Sequence, residues 1–88
     1  MRFTVDPDKV LWRELADQIV VLHLPTSRFV ELNHSGATLW ERVVDGATAE
    51  DLEQVLRERY DVSTDTAAED VREFLAALSA ADLLQSDE

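Results

Sequence analysis

The 88-residue sequence lacks cysteine altogether and has only two glycines, Gly36 and Gly46. The first absence excludes disulfides, thiolate metal sites and thiol nucleophiles, and the second excludes a glycine-rich phosphate loop. No stretch approaches the roughly 18 consecutive apolar residues of a membrane-spanning helix. The first ten residues carry charges and no apolar run, unlike a secretory signal. These absences predict a cytoplasmic protein without a membrane segment, and the length predicts one domain over residues 1–88.

Basic residues are also scarce, and the excess of acids is uneven. Eight Lys and Arg face nineteen Asp and Glu, for a net charge of −11. Residues 1–40 hold five acids and four bases, whereas residues 41–88 hold the other fourteen acids and four bases. Such a field repels nucleic acid and anionic lipid, and it favours a neutral or basic partner. We therefore expect neither nucleic-acid nor membrane binding.

Short β-branched and aromatic runs in the first third of the chain predict three strands. They cover residues 10–15, 19–24 and 28–32. The run IVVLHL at 19–24 is almost continuously apolar, which is typical of a strand buried on both faces. Pro25 ends that run, since proline cannot continue a central strand. Short connections between the three strands predict an antiparallel meander.

Three helices follow, each with its own start signal. Asn33 is an expected N-cap for a helix that ends near residue 45, where Gly46 supplies a positive φ. The capping-box patterns TAED at 48–51 and TAAE at 66–69 predict helices ending near residues 60 and 81. The polar residues 85–88 are expected to be frayed. The predicted fold class is α+β, with a three-stranded antiparallel sheet followed by three helices.

No set of residues indicates catalysis or metal binding. His23 and His34 are the only histidines, and His23 within an apolar strand is typical of a core or edge histidine rather than a metal ligand. The acids of residues 50–58 face outward without an apolar wall to raise a pKa. Ser35 lacks a nucleophile elbow. We expect no enzyme activity, no cofactor and no metal.

Several segments resemble the PqqD-like family in order and spacing. Residues 29–33 (FVELN), 36–40 (GATLW) and 44–46 (VDG) are similar to the strand-to-helix junction of these proteins. Residues 70–75 (DVREFL) and 82–84 (DLL) are similar to the last helix and its end. Many relatives have glycine where this chain has Asp82. The resemblance covers about residues 10–84.

The resemblance implies a winged-helix-like domain that binds the leader segment of a ribosomally made precursor peptide. In relatives the leader adds as an extra strand beside the third strand, in a groove closed by the third helix. Stand-alone members deliver the precursor to a separate modifying enzyme or leader peptidase, and a lasso-peptide pathway is preferred for this short chain. The implied leader-binding residues are Arg28, Phe29, Val30, Glu31 and Leu32 of the third strand, with Val71, Phe74, Leu75 and Leu78 of the third helix.

Two other functions remain open to the sequence. A generic protein–protein adaptor would use the same strand edge for a different partner. A winged-helix DNA reader would place the third helix in the major groove, but Glu69, Asp70, Glu73 and Asp82 outweigh Arg72 there, so phosphate neutralisation is disfavoured.

Overall fold

The computed structural model describes residues 1–87, which form five strands and three helices. The elements in chain order are β1 (Arg2–Thr4), β2 (Val10–Leu15), β3 (Gln18–His23), β4 (Arg28–Leu32), α1 (His34–Asp45), α2 (Ala49–Tyr60), α3 (Thr64–Ala80) and β5 (Gln85–Asp87). The predicted α+β class, with its three-stranded antiparallel sheet and three following helices, is confirmed.

The main sheet is an antiparallel meander in the order β2-β3-β4. Its cross-strand rows alternate between two faces because successive side chains of a strand point to opposite sides. The row of Trp12, Val21 and Val30 lies on the inner face, where Val21 is fully buried. The next row, which holds Leu22 and Phe29, lies on the outer face. The inner face therefore supplies the core and the outer face remains open to solvent.

The prediction that the run at 19–24 is buried on both faces is wrong. Ile19 and Val21 on the inner face are completely buried, whereas Val20 and Leu22 on the outer face are only half-buried. Leu24 lies beyond the end of β3 and is 41% exposed. The helices cover one face of the sheet only, so strict alternation decides which residues are enclosed.

A single apolar core lies between the inner sheet face and the helices. Trp40 of α1 is its largest fully buried side chain, and Trp12 of β2 packs edge-on against it with ring centroids 6.2 Å apart. Burial of each large apolar side chain contributes roughly 1.5–3 kcal/mol. The other large, fully buried members are Ile19, Val21, Val43, Leu52, Val71, Leu78 and Leu83.

The helix starts follow local capping chemistry. The side chain of Asn33 accepts a hydrogen bond from the N–H of Gly36, and Gly46 ends α1 with a φ of 94°, so both predictions are confirmed. For α3 the predicted start is wrong by three residues. Ser63, rather than Thr66, is the N-cap, because its hydroxyl oxygen accepts the N–H of Thr66. In the part of the chain that the structure describes, no helix is long and apolar enough to span a bilayer.

The two ends of the chain pair with each other, contrary to the expectation of a frayed C-terminus. Phe3 of β1 lies opposite Ser86 of β5 in an antiparallel pair. Phe3 also exchanges backbone hydrogen bonds with Ala47, at 2.7 and 3.0 Å. Backbone pairing across 83 positions orders segments that carry no local signal for a strand. Glu88 lies outside the described residues.

The capping box of α2 is reciprocal. The Thr48 hydroxyl accepts the Asp51 N–H at 3.1 Å, and the Asp51 carboxylate accepts the Thr48 N–H at 3.0 Å. The backbone N–H of Thr48, followed by its side chain, lowers the pKa of Asp51. The stabilisation from this carboxylate is fully present above its unfolded-state pKa and is lost as the pH falls through the lower folded-state pKa.

Replacing Thr48 by alanine is expected to reduce the free energy of unfolding by about 1 kcal/mol, because a first-turn N–H of α2 loses its side-chain acceptor. The matched control is Thr64→Ala, at an exposed first-turn position of α3 whose N-cap is another residue. Urea titration of the two variants checks the difference. Equal stability of both variants would contradict the capping role.

Candidate functional site

The strand β4 lies at one edge of the main sheet and has a free side. Within residues 1–87, β3 pairs with one side of β4 and no strand pairs with the other. The Leu24 N–H donates to the Lys9 carbonyl at 2.8 Å, so the backbone groups at this position face β2. Because successive strand residues direct their N–H and C=O groups to opposite sides, the backbone groups of Val21 face β4 and bond to those of Val30, which lies opposite. The backbone groups of Phe29 and Glu31 therefore point away from β3. These two residues offer donors and acceptors to an added strand.

A cleft of about 680 Å³ lies between the first half of β4 and the end of α3. Val30 forms its apolar wall on the strand side, and three small residues face it from the helix and the turn that follows. Small side chains leave room for a ligand side chain between strand and helix. The full lining is His23, Thr26, Arg28, Phe29, Val30, Ala77, Ala80, Ala81 and Asp82.

A second cleft, of about 350 Å³, begins where β4 ends. Phe74 of α3 and Leu39 of α1 provide its apolar surface, and Asp70 and Glu73 provide acidic groups at its rim. The full lining is Asn33, Ser35, Gly36, Leu39, Leu56, Asp70, Glu73 and Phe74.

The helix α3 borders both clefts: the first lies beside β4, and the second lies beside residues 33–36, which follow β4 in the chain. Asp70, Glu73 and Phe74 of α3 line the second cleft, and Ala77 and Ala80 line the first. The eleven helical residues from 70 to 80 extend about 16 Å, which is the length of roughly five residues of an extended chain. We call this feature, β4 with the two clefts beside α3, the β4–α3 groove.

His23 ties the sheet to the end of α3 at the polar end of the groove. Its ring is 4% exposed, with Nδ1 2.7 Å from the Thr26 hydroxyl and Nε2 3.1 Å from the Asp82 carboxylate. Lys9 Nζ lies 3.8 Å from the same carboxylate. Asp82 has a φ of 58°, a conformation in which glycine is unstrained. The Asp82 carboxylate contacts His23 and Lys9, which a glycine at this position could not do.

The prediction that His23 is a core histidine is confirmed by this burial. Its two ring nitrogens are already engaged by Thr26 and Asp82. Across residues 1–87, no group of three or more His, Cys, Asp or Glu side chains converges on a possible metal position.

The residues implied by the resemblance divide between groove and core. Arg28, Phe29 and Val30 line the first cleft, and Phe74 lines the second. Glu31 is exposed at the free edge, whereas Leu32 is 9% exposed and belongs to the core. In α3, Val71 and Leu78 are each 1% exposed and present almost no surface to a ligand, and Leu75 is half-buried against the core.

Sequence reasoning missed the small residues of the groove. Ala77, Ala80 and Ala81 continue the helical face of Phe74 at spacings of three and four residues, the spacing of neighbours on one helix face. Their small side chains give no sequence signal of binding, because an apolar stripe is recognised by its large side chains. The turn residue Thr26 and the helix-end residue Asp82 carry no sequence signal that places them beside β4.

The open edge of β4 and the adjacent helix define a class: a small α+β domain with a strand-and-helix groove. Residues 18–84 match the family described as Coenzyme PQQ synthesis protein D (PqqD). The chain belongs to this PqqD family. No curated protein matches the sequence.

Two solved structures share the whole architecture. One, described as TbiB1 in complex with the TbiA(beta) leader peptide, is 28% identical, with a TM-score of 0.87 over 97% of this chain and 98% of that one. The other, described as lasso peptide synthetase B1 complexed with the leader peptide, is 21% identical, with a TM-score of 0.83 over 96% of this chain and 98% of that one. The second likeness concerns the fold alone.

Proposed function

We propose that this protein binds the leader segment of a ribosomally synthesised precursor peptide by strand addition at β4. It then presents the precursor to a separate modifying or leader-cleaving enzyme, in a pathway of the lasso-peptide type. The observation that carries the proposal is the outward direction of the Phe29 and Glu31 backbone groups beside the groove lined by α3. A leader peptide bound to a 28% identical protein of the same fold supports it.

Strand addition supplies part of the binding free energy. Each new backbone hydrogen bond contributes about 0.5–1.5 kcal/mol net, and the outward groups of Phe29 and Glu31 provide up to four such bonds. Ordering a disordered leader costs roughly 2–5 kcal/mol. Backbone pairing alone therefore leaves little surplus, and apolar contacts must supply the remaining affinity.

The two clefts provide those contacts at two positions along α3. Side chains of a strand added at β4 alternate between the outer side and the α3 side. Those on the α3 side enter the first cleft between Val30 and Ala77, or reach Phe74 in the second. The rim acids Asp70 and Glu73 favour a neutral or basic leader residue near the second cleft.

Titration of a labelled synthetic leader, taken from the cognate precursor peptide, tests the function. Fluorescence anisotropy is expected to rise and saturate at micromolar protein without any added cofactor, which corresponds to a binding free energy of about −7 to −8 kcal/mol. A scrambled leader of the same composition is the control for charge and hydrophobicity.

Three outcomes would contradict the proposal. The anisotropy remains flat up to high micromolar protein, the scrambled leader binds equally well, or the leader competes with a peptide that carries no leader sequence. The last two results would favour a generic adaptor that uses the same edge.

A further inference from the structure

The outer face of the main sheet is an apolar surface that none of the helices covers. Leu11, Leu22 and Phe29 form one cross-strand row on it, and Leu15 lies four positions beyond Leu11 along β2. Leu11, Leu15 and Phe29 are 59%, 50% and 68% exposed. Clustered exposed apolar side chains, unlike isolated ones, mark interaction surfaces. We call this surface the outer sheet face.

The two edges of the outer sheet face carry charges of opposite sign. The row next to the leucines reads Arg13, Val20, Glu31 across β2, β3 and β4. It therefore has a cation at one edge, an apolar residue in the centre and an anion at the other edge. Such a row is complementary to a second copy that faces it and is related to it by a two-fold axis parallel to β3.

That rotation also matches the apolar row. It places β2 of one copy over β4 of the other, so that Leu11 meets Phe29 and Leu22 meets Leu22, while Arg13 meets Glu31 on both sides. An axis across the strands would instead place Arg13 over Arg13. Two sheets that pack face to face lie about 10 Å apart with strands aligned to within about 30°. Arg and Glu side chains are long enough to meet across that distance.

We propose that the outer sheet face is the interface of a symmetric homodimer with its two-fold axis along β3. The charge distribution of the chain favours this face over any other. Residues 41–88, which include the end of α1 and all of α2, α3 and β5, carry the excess of fourteen acids over four bases, whereas residues 1–40 are nearly balanced. The helical layers of the two copies lie on the far sides of the paired sheets. Charges separated by more than the Debye length of about 8 Å are largely screened at physiological salt.

The size of the face sets the strength of the dimer. Three strands about 4.8 Å apart and six residues long make a footprint of roughly 14 by 18 Å, well below the area of about 800 Å² per partner of a standard stable interface. The dimer is therefore weak and forms in a concentration-dependent way. The clefts of each β4–α3 groove lie on the helical side of the sheet, while Phe29 and Glu31 of β4 border both the groove and the outer sheet face. Arg13, on the opposite edge strand, belongs to the outer sheet face alone.

Sedimentation equilibrium over a range from low micromolar to millimolar protein tests the dimer. The weight-average mass is expected to rise from the monomer value of 10.0 kDa toward twice that value. Arg13→Glu and Glu31→Arg should each weaken the dimer by about tenfold or more, because each change introduces two like-charge contacts in a symmetric pair. The double variant Arg13→Glu/Glu31→Arg should recover the wild-type association, since the charges face each other again with exchanged signs.

The controls separate this interface from folding and from the leader site. Circular dichroism should be unchanged in all three variants, and Arg13→Glu, which lies outside the groove, should bind the leader as the wild type does. A wild-type protein that remains monomeric at millimolar concentration would overturn the proposal and leave the outer sheet face to a different protein. Failure of the double variant to recover association would also overturn it, because the charge pairing would then be wrong.

Discussion

Replacing Glu31 by proline is expected to weaken leader binding by about thirtyfold, or about 2 kcal/mol, while the fold remains intact. The substitution removes an N–H that points away from β3 and places a ring where the leader backbone must approach. The far-ultraviolet circular dichroism should be retained, because no hydrogen bond to β3 is lost. Fluorescence anisotropy with the labelled leader measures the change.

Three further variants make this experiment specific. Glu31→Ala removes the side chain alone and should bind nearly as the wild type does. Glu14→Pro places the same ring at an exposed, outward position on β2, the opposite edge of the sheet, and should also leave binding unchanged. Val30→Pro, by contrast, removes a bond to β3 and should destabilise the protein. If Glu31→Pro binds the leader with wild-type affinity, strand addition at β4 is wrong.

Replacing Leu78 by alanine is expected to reduce the free energy of unfolding by roughly 2–5 kcal/mol, because a completely buried leucine leaves a cavity in the core. For a domain of this size, the melting temperature should fall by roughly 10–25 °C. A thermal melt followed by circular dichroism measures the effect. At a temperature where the variant is still folded, leader affinity should be close to that of the wild type.

Phe74→Ala is the matched variant on the same helix, and its effects should be reversed. The ring of Phe74 is half-buried and lines the second cleft. We expect a loss of leader affinity of roughly 1–3 kcal/mol, the value of burying an aromatic ring, with a smaller decrease in melting temperature than for Leu78→Ala. If the two variants lose stability equally and Phe74→Ala binds normally, α3 does not border the leader.

The local elements of this protein follow from sequence alone. Alternating strand residues, the Asn33 cap, the capping box at Thr48 and the positive φ at Gly46 each depend on groups within a few positions of one another. The three strands and three helices were therefore predictable in number and order. The resemblance to the PqqD family was likewise readable from sequence, because short patterns in a constant order carried it.

The division of α3 between core and groove was decided by the tertiary structure. Val71, Phe74, Leu75 and Leu78 form one broad apolar stripe in sequence, but the packing of α3, chiefly against α2, fully encloses only Val71 and Leu78. The helices cover one face of the sheet only, so Val20 and Leu22 on the other face are half-buried, where sequence predicted burial on both faces. Hydropathy records that a side chain prefers burial, and not whether a neighbouring element covers it.

Contacts between distant positions were also beyond the sequence. The pairing of β1 with β5 joins residues 83 positions apart, and the bond from His23 to Asp82 spans 59 positions. The alanines that open the first cleft have no chemical signature of binding; they matter because β4 lies opposite them. Sequence determined the elements and the family through short-range chemistry, and only the tertiary packing, which sets α3 against α2 and beside β4, decided which residues line the groove.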